Sequence, residues 1–335
     1  MPDGSSAAES VDAASSVQPI LRPSWSSVAK SLVAGGIAGG LSRTAVAPLE
    51  RMKILMQVQG NNKLYHSTWS GLVHIAKSEG LRGLMKGNGA NCLRIIPNSA
   101  VKFFTYEHLS REVLHHRRSL QDGEGEMTPF LRLLAGAGAG IIAMSATYPL
   151  DMVRGRLTIQ HGASAQYKGI WHAANMIVKQ EGPGALYKGW LPSVIGVVPY
   201  VGLNFAVYET LKVWTMDHYG LRDEQELSVA ARLTCGAVAG TIGQTVAYPF
   251  DVARRRLQVS GWEGVSDLNT AGSGKAVAYT GMLDCFRKTV KQEGFSALFK
   301  GLAPNYIKVV PSIAIAFVSY EQIKVALGVE FRISE

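Results

Sequence analysis

The chain has 335 residues, of which 47% are apolar and 18% are charged, and its formal net charge is +9. So few charges are unusual for a soluble protein of this length, and the positive balance suits nucleic acid, anionic lipid or an anionic small molecule as a partner. The three cysteines form no CxxC pair, which argues against a secreted disulfide scaffold. Residues 1–24 lack the apolar core of a secretory signal, so we expect a disordered tail there.

Six apolar stretches follow, each about the minimum length for a bilayer span once the adjoining turns are added. In chain order they cover residues 31–48, 90–106, 131–149, 191–208, 229–249 and 302–320. Several of them carry a charge in mid-span, which weakens a prediction based on hydropathy alone. The membrane prediction therefore depends on a second feature, an internal repeat.

A motif with the pattern Pro-X-acid-X-X-base occurs three times, about 100 residues apart, and begins at Pro48, Pro149 and Pro249. After each copy come a Glu-Gly pair, a Lys-Gly pair and a Tyr-Glu pair, so each unit is an apolar helix, a polar loop with a short helix, and a second apolar helix. Two spans return the chain to its starting side, so tandem copies insert in one orientation. We predict an all-α membrane protein of six transmembrane helices with pseudo-threefold symmetry. The three repeats are assigned to residues 25–126, 127–226 and 227–335.

Glycine pairs stand 13 and nine residues before each motif proline. They are Gly35 and Gly39, Gly136 and Gly140, and Gly236 and Gly240. In lipid, GxxxG spacing lets a neighbouring backbone approach closely. We therefore expect close helix packing at these positions.

The acid and base of the motif predict ion pairs between repeats. Proline kinks a helix, so the ends of the three helices would converge on the symmetry axis. Each acid then reaches the base of another repeat, and the six residues form a gate ring that closes one end of a central cavity. Its predicted pairs are Glu50–Arg154, Asp151–Arg254 and Asp251–Lys53. The alternative is a solvated helix end with pairs inside each helix, worth about 0.2–0.5 kcal/mol each.

The second helix of each repeat carries a related motif at its far end, although repeat 1 lacks the base three residues after the acid. We predict a partial second ring with the pairs Glu107–Lys212 and Glu209–Lys324. Its members are Glu107, Glu209, Lys212, Glu321 and Lys324. Two rings at opposite ends of one cavity are what alternating access requires.

Twelve residues before the tyrosine of each closing pair lie Arg94, Gly196 and Lys308, near mid-membrane and away from the gate ring. A charge at the bilayer centre costs about 2.5–3.5 kcal/mol, so we interpret Arg94 and Lys308 as phosphate ligands, with structural ion pairing as the alternative. Gly196 and Val197 leave a slot for a planar base, with Tyr200 one turn on; helix packing is the alternative role for Gly196. The candidate substrate-binding residues are Arg43, Arg94, Gly196, Val197, Tyr200 and Lys308.

These motifs resemble those of the mitochondrial carrier family, which repeats Px[DE]xx[KR] three times and carries [FY][DE]xx[RK] on its even-numbered helices. The resemblance covers roughly residues 25–326. It implies six tilted helices in the mitochondrial inner membrane, three short helices and the gate ring on the matrix side, and the second ring on the cytoplasmic side. It also implies glutamines that brace the gate, at Gln57 and Gln258 but not at Thr158. The cardiolipin sites it implies fall at Gly87, Gly169, Gly189, Gly281 and Gly301.

Within the family, residues 42–51 are most similar to the first helix of adenine-nucleotide carriers. This similarity implies an antiporter of AMP, ADP and ATP, and the alternative is a coenzyme A or ATP-Mg/phosphate carrier of the same family. We expect a monomer that binds adenine nucleotides and phospholipid, without nucleic acid, metal or cofactor. A soluble nucleotide-binding enzyme is disfavoured because the sequence has no GxxxxGK[ST] motif.

Overall fold

The computed structural model describes residues 25–60, 64–120, 127–160, 166–221, 223, 226–262 and 277–328. Within these ranges every regular element is helical. The predicted tail at residues 1–24 lies outside them. Each repeat contributes a long helix, a short helix and a second long helix, in the predicted order.

The elements of repeat 1 are α1 Trp25–Ala45, α2 Ala47–Val58, α3 Thr68–Leu84, α4 Asn88–Leu93 and α5 Ile95–Leu120. Those of repeat 2 are α6 Pro129–Ala146, α7 Tyr148–Ile159, α8 Ile170–Glu181, the 3₁₀ turn Pro183–Tyr187 and α9 Trp190–Tyr219. Those of repeat 3 are α10 Val229–Gln258, α11 Met282–Glu293, the 3₁₀ turn Phe295–Phe299 and α12 Leu302–Ala326. The short helices α3, α8 and α11 fill the long polar loop of their repeats.

The motif prolines act on the first long helix of each repeat. In repeats 1 and 2 the helix breaks just before the proline, at Val46 with φ −95° and at Thr147 with φ −97°. Proline lacks an N–H and clashes with the preceding turn, which explains both breaks. In repeat 3, Pro249 lies inside the continuous α10. The segments α2, α7 and the end of α10 are therefore the ones that converge.

The main apolar core lies where these segments meet. It joins side chains of α2 and α7 to residues that follow α10, including Leu55, Val153, Val259 and Trp262. Large apolar side chains elsewhere, such as Phe104, remain exposed in the absence of lipid. An exposed apolar surface around a helical bundle is typical of a lipid-facing protein, because helices satisfy their backbone hydrogen bonds internally.

Among the described residues, three helical segments are long and apolar enough to cross a membrane by length and composition alone. They are Pro129–Ala146, Pro183–Tyr219 and Phe295–Ala326. The other three predicted spans, α1–α2, α4–α5 and α10, contain charges such as Arg43, Arg94 and Asp251, which lower their hydropathy. Those same charges belong to the gate ring and the candidate substrate site.

Of the six glycines in the GxxxG pairs, only Gly39 has a neighbour at its Cβ position in the described part of the chain, the Ile95 side chain at 3.8 Å. The predicted packing is wrong at the other five. Within the described residues, a Cβ added at Gly136, Gly140, Gly236 or Gly240 would meet no neighbour within 4 Å. The backbones of α9 and α10 approach instead at Gly243, where an added Cβ would lie 3.1 Å from the carbonyl oxygen of Tyr200. Gly35 likewise meets no neighbour within 4 Å among the described residues.

Another glycine supports a contact between repeats. Gly301, at the N-cap of α12, has φ +84° in the left-handed region, and an added Cβ would lie 2.9 Å from the carbonyl oxygen of Lys53. Gly220 is also left-handed, with φ +63°, but an added Cβ would meet nothing within 4 Å in the described residues. Both glycines therefore have a left-handed backbone conformation, but only Gly301 packs against another repeat.

We expect Gly301→Ala to lower the thermal unfolding midpoint in detergent more than Gly220→Ala does. Both substitutions strain the backbone by about 1–2 kcal/mol, but only Gly301→Ala also forces the two repeats apart. Unfolding scans of the two variants beside the unmodified chain measure the difference. Equal losses in both variants would show that the contact with Lys53 contributes nothing.

Candidate functional site

The converging helices bring the three motifs together, and the predicted pairing between repeats is confirmed. The nitrogen–oxygen distances are 2.9 Å for Arg154–Glu50, 2.6 Å for Arg254–Asp151 and 3.1 Å for Lys53–Asp251. The alternative, pairing inside each helix, is represented by the longer Arg154–Asp151 contact of 4.0 Å. The gate ring is thus closed by contacts between repeats.

Asp151 is the most heavily bonded acid of the gate ring. Its carboxylate accepts from Arg254, from Arg255 at 3.3 Å, from the Gln258 amide at 2.9 Å and from Arg94 at 3.2 Å. Only 1% of its side chain is exposed. The motif spacing did not indicate Arg255 as a gate residue. The signal that could have indicated it is the run of three arginines at 254–256. The junction of repeats 2 and 3 therefore carries the largest number of gate contacts.

The other two acids have fewer partners. Glu50 pairs with Arg154 and with Lys308 of repeat 3. Asp251 pairs with Lys53 alone among the described residues, and 36% of its side chain is exposed. The three junctions are thus unequal although the sequence motif is nearly symmetric.

The two predicted phosphate ligands do not stand apart from the gate ring. Arg94 contacts Asp151, and Lys308 contacts Glu50, because both long side chains reach the gate acids. The expectation that they lie away from the gate is wrong. The ion pairs Arg94–Asp151 and Lys308–Glu50 correspond to the alternative, structural ion pairing. Arg43 donates to the backbone oxygen of Asn91 at 3.2 Å.

Charge is not balanced at this level of the cavity. Six cations are paired there with only three carboxylates, which leaves three positive charges in surplus. The cations are Lys53, Arg94, Arg154, Arg254, Arg255 and Lys308, and the acids are Glu50, Asp151 and Asp251. Buried like charges are costly unless an anion compensates them. Three surplus positive charges at the level of the gate ring suit an anionic ligand.

The bracing glutamines differ from each other. Gln258 donates to Asp151 and, at 3.3 Å, to the Tyr148 hydroxyl, so it supports the gate directly. The amide of Gln57 is buried and has no hydrogen-bond partner among the described residues. Thr158, its counterpart in repeat 2, donates to the Arg154 carbonyl of its own helix at 2.7 Å.

The predicted slot for a base is a small cavity beside the gate ring. Gly196, Val197 and Tyr200 line a space of about 180 Å³ that also reaches Phe250 and Arg254. A Cβ added at Gly196 would lie 2.9 Å from the Cβ of Phe250. Gly196 is therefore needed for helix packing as well as for the shape of the slot.

The second ring is not closed in this structure. Among the described residues, Glu107 pairs with Arg111 and Glu209 pairs with Lys212, each within its own helix. The predicted pairs Glu107–Lys212 and Glu209–Lys324 are thus not formed. The missed partner Arg111 lies four residues after Glu107, one position beyond the motif spacing. Ion pairs between repeats therefore close the gate ring, whereas the acids of the second ring pair within their own helices.

A second layer of buried charges lies beyond the gate ring, and sequence analysis assigned it no role. Three buried arginines each pair with the glutamate of their own repeat's Glu-Gly pair. We call this set the arginine layer: Arg51–Glu79, Arg156–Glu181 and Arg256–Glu293. The Nε of each arginine also donates to the last turn of another repeat, at the carbonyls of Thr158, Gln258 and Gln57. The arginine layer therefore joins the three repeats on the closed side.

The carboxylates of the arginine layer are held in the charged form. Burial alone would raise the pKa of Glu293, but hydrogen bonds and charges of Arg256 and Lys300 outweigh it and keep the pKa below its ordinary value. The same balance lowers the pKa of Glu79 and of Glu181. A lowered pKa in the folded state means that ionisation of these groups stabilises the fold at neutral pH.

We expect the thermal unfolding midpoint to be insensitive to these groups from pH 7 to pH 5 and to fall below about pH 4. Below the ordinary glutamate pKa of about 4.3 the unfolded chain binds protons that the folded chain does not. The stabilisation is therefore lost as the pH drops through the lowered pKa values. Unfolding scans in detergent between pH 7 and pH 3.5 measure this, and a midpoint that does not fall over that interval would contradict it.

A helical bundle of three repeats, closed at one end by a ring of ion pairs with surplus cations beside it, is the architecture of a membrane carrier. The chain belongs to the family of mitochondrial carrier proteins, whose model matches residues 24–117, 125–219 and 225–330. As a member of this family it is a multi-pass protein of the mitochondrial inner membrane, and the predicted fold class is confirmed.

Several curated relatives share most of this chain. The mitochondrial adenine nucleotide transporter ADNT1 of Arabidopsis thaliana is 63% identical over 93% of this chain and 90% of its own length. The mitochondrial adenyl nucleotide antiporter SLC25A24 of Homo sapiens is 38% identical over 90% of this chain and 58% of its own. The calcium-binding mitochondrial carrier protein SCaMC-2-A of Danio rerio is 40% identical, over 90% and 60% respectively. The chain thus spans nearly all of the first relative and about three fifths of the other two.

Proposed function

We propose that the chain exchanges adenine nucleotides, AMP, ADP and ATP, across the mitochondrial inner membrane by alternating access. The observation that carries this proposal is the surplus of three cations at the gate ring, which suits the charge of a nucleotide phosphate chain. The similarity to a protein named as an adenine nucleotide transporter, at 63% identity, supports the choice of base.

Substrate phosphate would compete with the gate acids for two cations. Arg94 would exchange Asp151 for phosphate, and Lys308 would exchange Glu50, while Arg43 adds a third cation nearby. Each exchange removes a contact from the gate ring, so bound substrate weakens the closed state. A ligand shifts such an equilibrium only by its difference in affinity between the states. The gate ring and the second ring would then open in turn.

The lipid sites and the monomeric state belong to the same proposal. The helices α8, α9, α11 and α12 begin at glycines whose N-caps have no side-chain hydrogen bond, which supports cardiolipin phosphate at those N-termini. Their N-cap residues are Gly169, Gly189, Gly281 and Gly301, and Gly87 caps α4 in the same way. A single chain contains all six spans and both rings, so one protomer suffices for transport.

Exchange in reconstituted vesicles tests the proposal. Liposomes that contain the full chain and are loaded with ATP should take up labelled AMP, ADP or ATP in exchange for internal ATP. Liposomes with Asp151→Asn serve as a matched control, since that variant removes the charge of the main gate acid and keeps the size of its side chain. If none of the three nucleotides exchanges in vesicles that hold correctly folded protein, the proposal is wrong.

A further inference from the structure

A second cavity lies above the small slot, between α9, α10 and α12. Its volume is about 610 Å³, and it shares Tyr200 and Gln244 with the 180 Å³ slot that reaches Asp251 and Arg254. Sites for small molecules typically occupy about 300–1,000 Å³. The larger cavity is therefore of the size that a nucleoside needs, whereas the slot beside Gly196 is smaller than that range.

Two amides in this cavity are available to a ligand. Asn204 of α9 and Gln244 of α10 line it, are half-buried, and have no hydrogen-bond partner within the part of the chain that the structure describes. The helices that carry them touch at Gly243, where an added Cβ would lie 3.4 Å from the backbone nitrogen of Asn204. The two amides are thus held on adjoining helices beside a close backbone contact.

The hydroxyls of Tyr306 and Thr241, which also line the cavity, are already engaged. The Tyr306 hydroxyl hydrogen-bonds with Thr245, and the Thr241 hydroxyl donates to the Ala237 carbonyl of its own helix at 2.8 Å. The amides of Asn204 and Gln244 therefore keep their donors and acceptors for a ligand that offers both kinds of group. Asn and Gln side chains suit the edge of adenine, which pairs an amine donor with a ring-nitrogen acceptor.

The height of the amides above the gate ring fits a nucleotide. Gln244 precedes Asp251 by seven residues, and Asn204 follows Gly196 by eight, so helical rise places them about 10–12 Å above the cavity floor. Phosphates held by Arg94 and Lys308 at the floor would leave the base at the level of the amides. Tyr200, which lines both cavities and is 37% exposed, lies between the two levels.

We propose that Asn204 and Gln244 bind the hydrogen-bonding edge of the purine, with Tyr200 stacked on its face. This places the base one to two turns further from the gate ring than the slot formed by Gly196 and Val197. It rests on the proposed exchange of adenine nucleotides and identifies which residues recognise the base. The two amides are specificity-determining residues, distinct from the cations that hold phosphate.

The test compares ligands that differ only at the base. In ATP-loaded proteoliposomes, we would measure KM for ATP and for purine riboside triphosphate, which lacks the exocyclic amine, and the inhibition constant of inorganic tripolyphosphate. The variants are Asn204→Leu and Gln244→Met, which keep side-chain volume and remove the amide. Thr241→Val is the matched control, since its hydroxyl is already bonded within α10. Should either variant fail to reconstitute, Asn204→Ala and Gln244→Ala replace it.

We expect Asn204→Leu and Gln244→Met each to raise KM for ATP about tenfold, and to leave the inhibition constant of tripolyphosphate and the Thr241→Val control unchanged. The preference of the unmodified chain for ATP over purine riboside triphosphate should disappear in at least one variant. The inference is overturned if both variants keep that preference, or if ATP and tripolyphosphate weaken in parallel. Absence of exchange in the unmodified chain would instead overturn the proposed function.

Discussion

Asp151→Asn is expected to abolish exchange, with a loss of about 100-fold or more in the rate from ATP-loaded proteoliposomes. The substitution removes the counter-charge of Arg94, Arg254 and Arg255, and the carboxylate it replaces is 1% exposed. Breaking a buried ion pair from one side costs about 3–5 kcal/mol, because the remaining charge stays buried and unpaired. A loss of about 3 kcal/mol in the closed gate corresponds to roughly 100-fold.

Asp251→Asn is the matched control for this prediction. It removes the acid at the same position of the motif in the next repeat, but that acid pairs only with Lys53 among the described residues and is 36% exposed. We expect a loss of less than about tenfold, since solvent screens an exposed pair. Equal losses for Asp151→Asn and Asp251→Asn would contradict the unequal gate ring seen in the structure.

Glu293→Ala is expected to lower the stability of the fold by about 3–5 kcal/mol, the second large effect. Its partner Arg256 is fully buried, with two contacts to the Glu293 carboxylate and one to the carbonyl of Gln57 in repeat 1. Without Glu293 the guanidinium would remain buried beside the Thr289 hydroxyl and the carbonyls of Gln57 and Gln59, with no counter-charge. Lys300 would lose the same partner.

Thermal unfolding in detergent measures the effect of Glu293→Ala, with Asp284→Asn as the control. Asp284 lies on the same helix, α11, and pairs with Lys288 one turn along at the surface. We expect a clear fall in the unfolding midpoint for Glu293→Ala and almost none for Asp284→Asn. Similar midpoints for the two variants would show that the arginine layer does not join the repeats.

The sequence was sufficient to predict the gate ring because its residues occupy equivalent positions in all three repeats. The arginine layer escaped prediction for the opposite reason. Arg156 and Arg256 each lie seven residues after their motif proline, but Arg51 lies only three residues after Pro48. The three side chains reach equivalent partners from non-equivalent positions, and half of those partners are backbone carbonyls, which a residue pattern does not reveal.

The second ring and the glycine pairs were mispredicted for another physical reason. A transport cycle contains more contacts than any one of its states can form at once. Glu209 pairs with Lys212 in its own helix instead of with Lys324, and Gly236 and Gly240 line a cavity. A sequence specifies groups that are able to meet, but the helix arrangement decides which of them do so in one state.

The predicted substrate residues show how side-chain length changes an interpretation. The repeat placed Arg94 and Lys308 correctly at equivalent positions, but not at the distance from the gate that was expected. The Arg94 side chain reaches Asp151, and the Lys308 side chain reaches Glu50. This contact is what would link phosphate binding to opening, and the residue spacing alone did not indicate it.

The most direct test of the gate is a charge exchange at its simplest pair. Lys53 and Asp251 are suited to it because Glu50 and Asp151 are shared with further cations, whereas Asp251 has a single partner among the described residues. The measurement is the ATP exchange rate of Lys53→Asp, of Asp251→Lys and of the double variant in proteoliposomes. If ion pairs between repeats close the gate, the double variant regains a substantial part of the rate lost in each single variant. A double variant that folds but is as inactive as the worse single variant would contradict it.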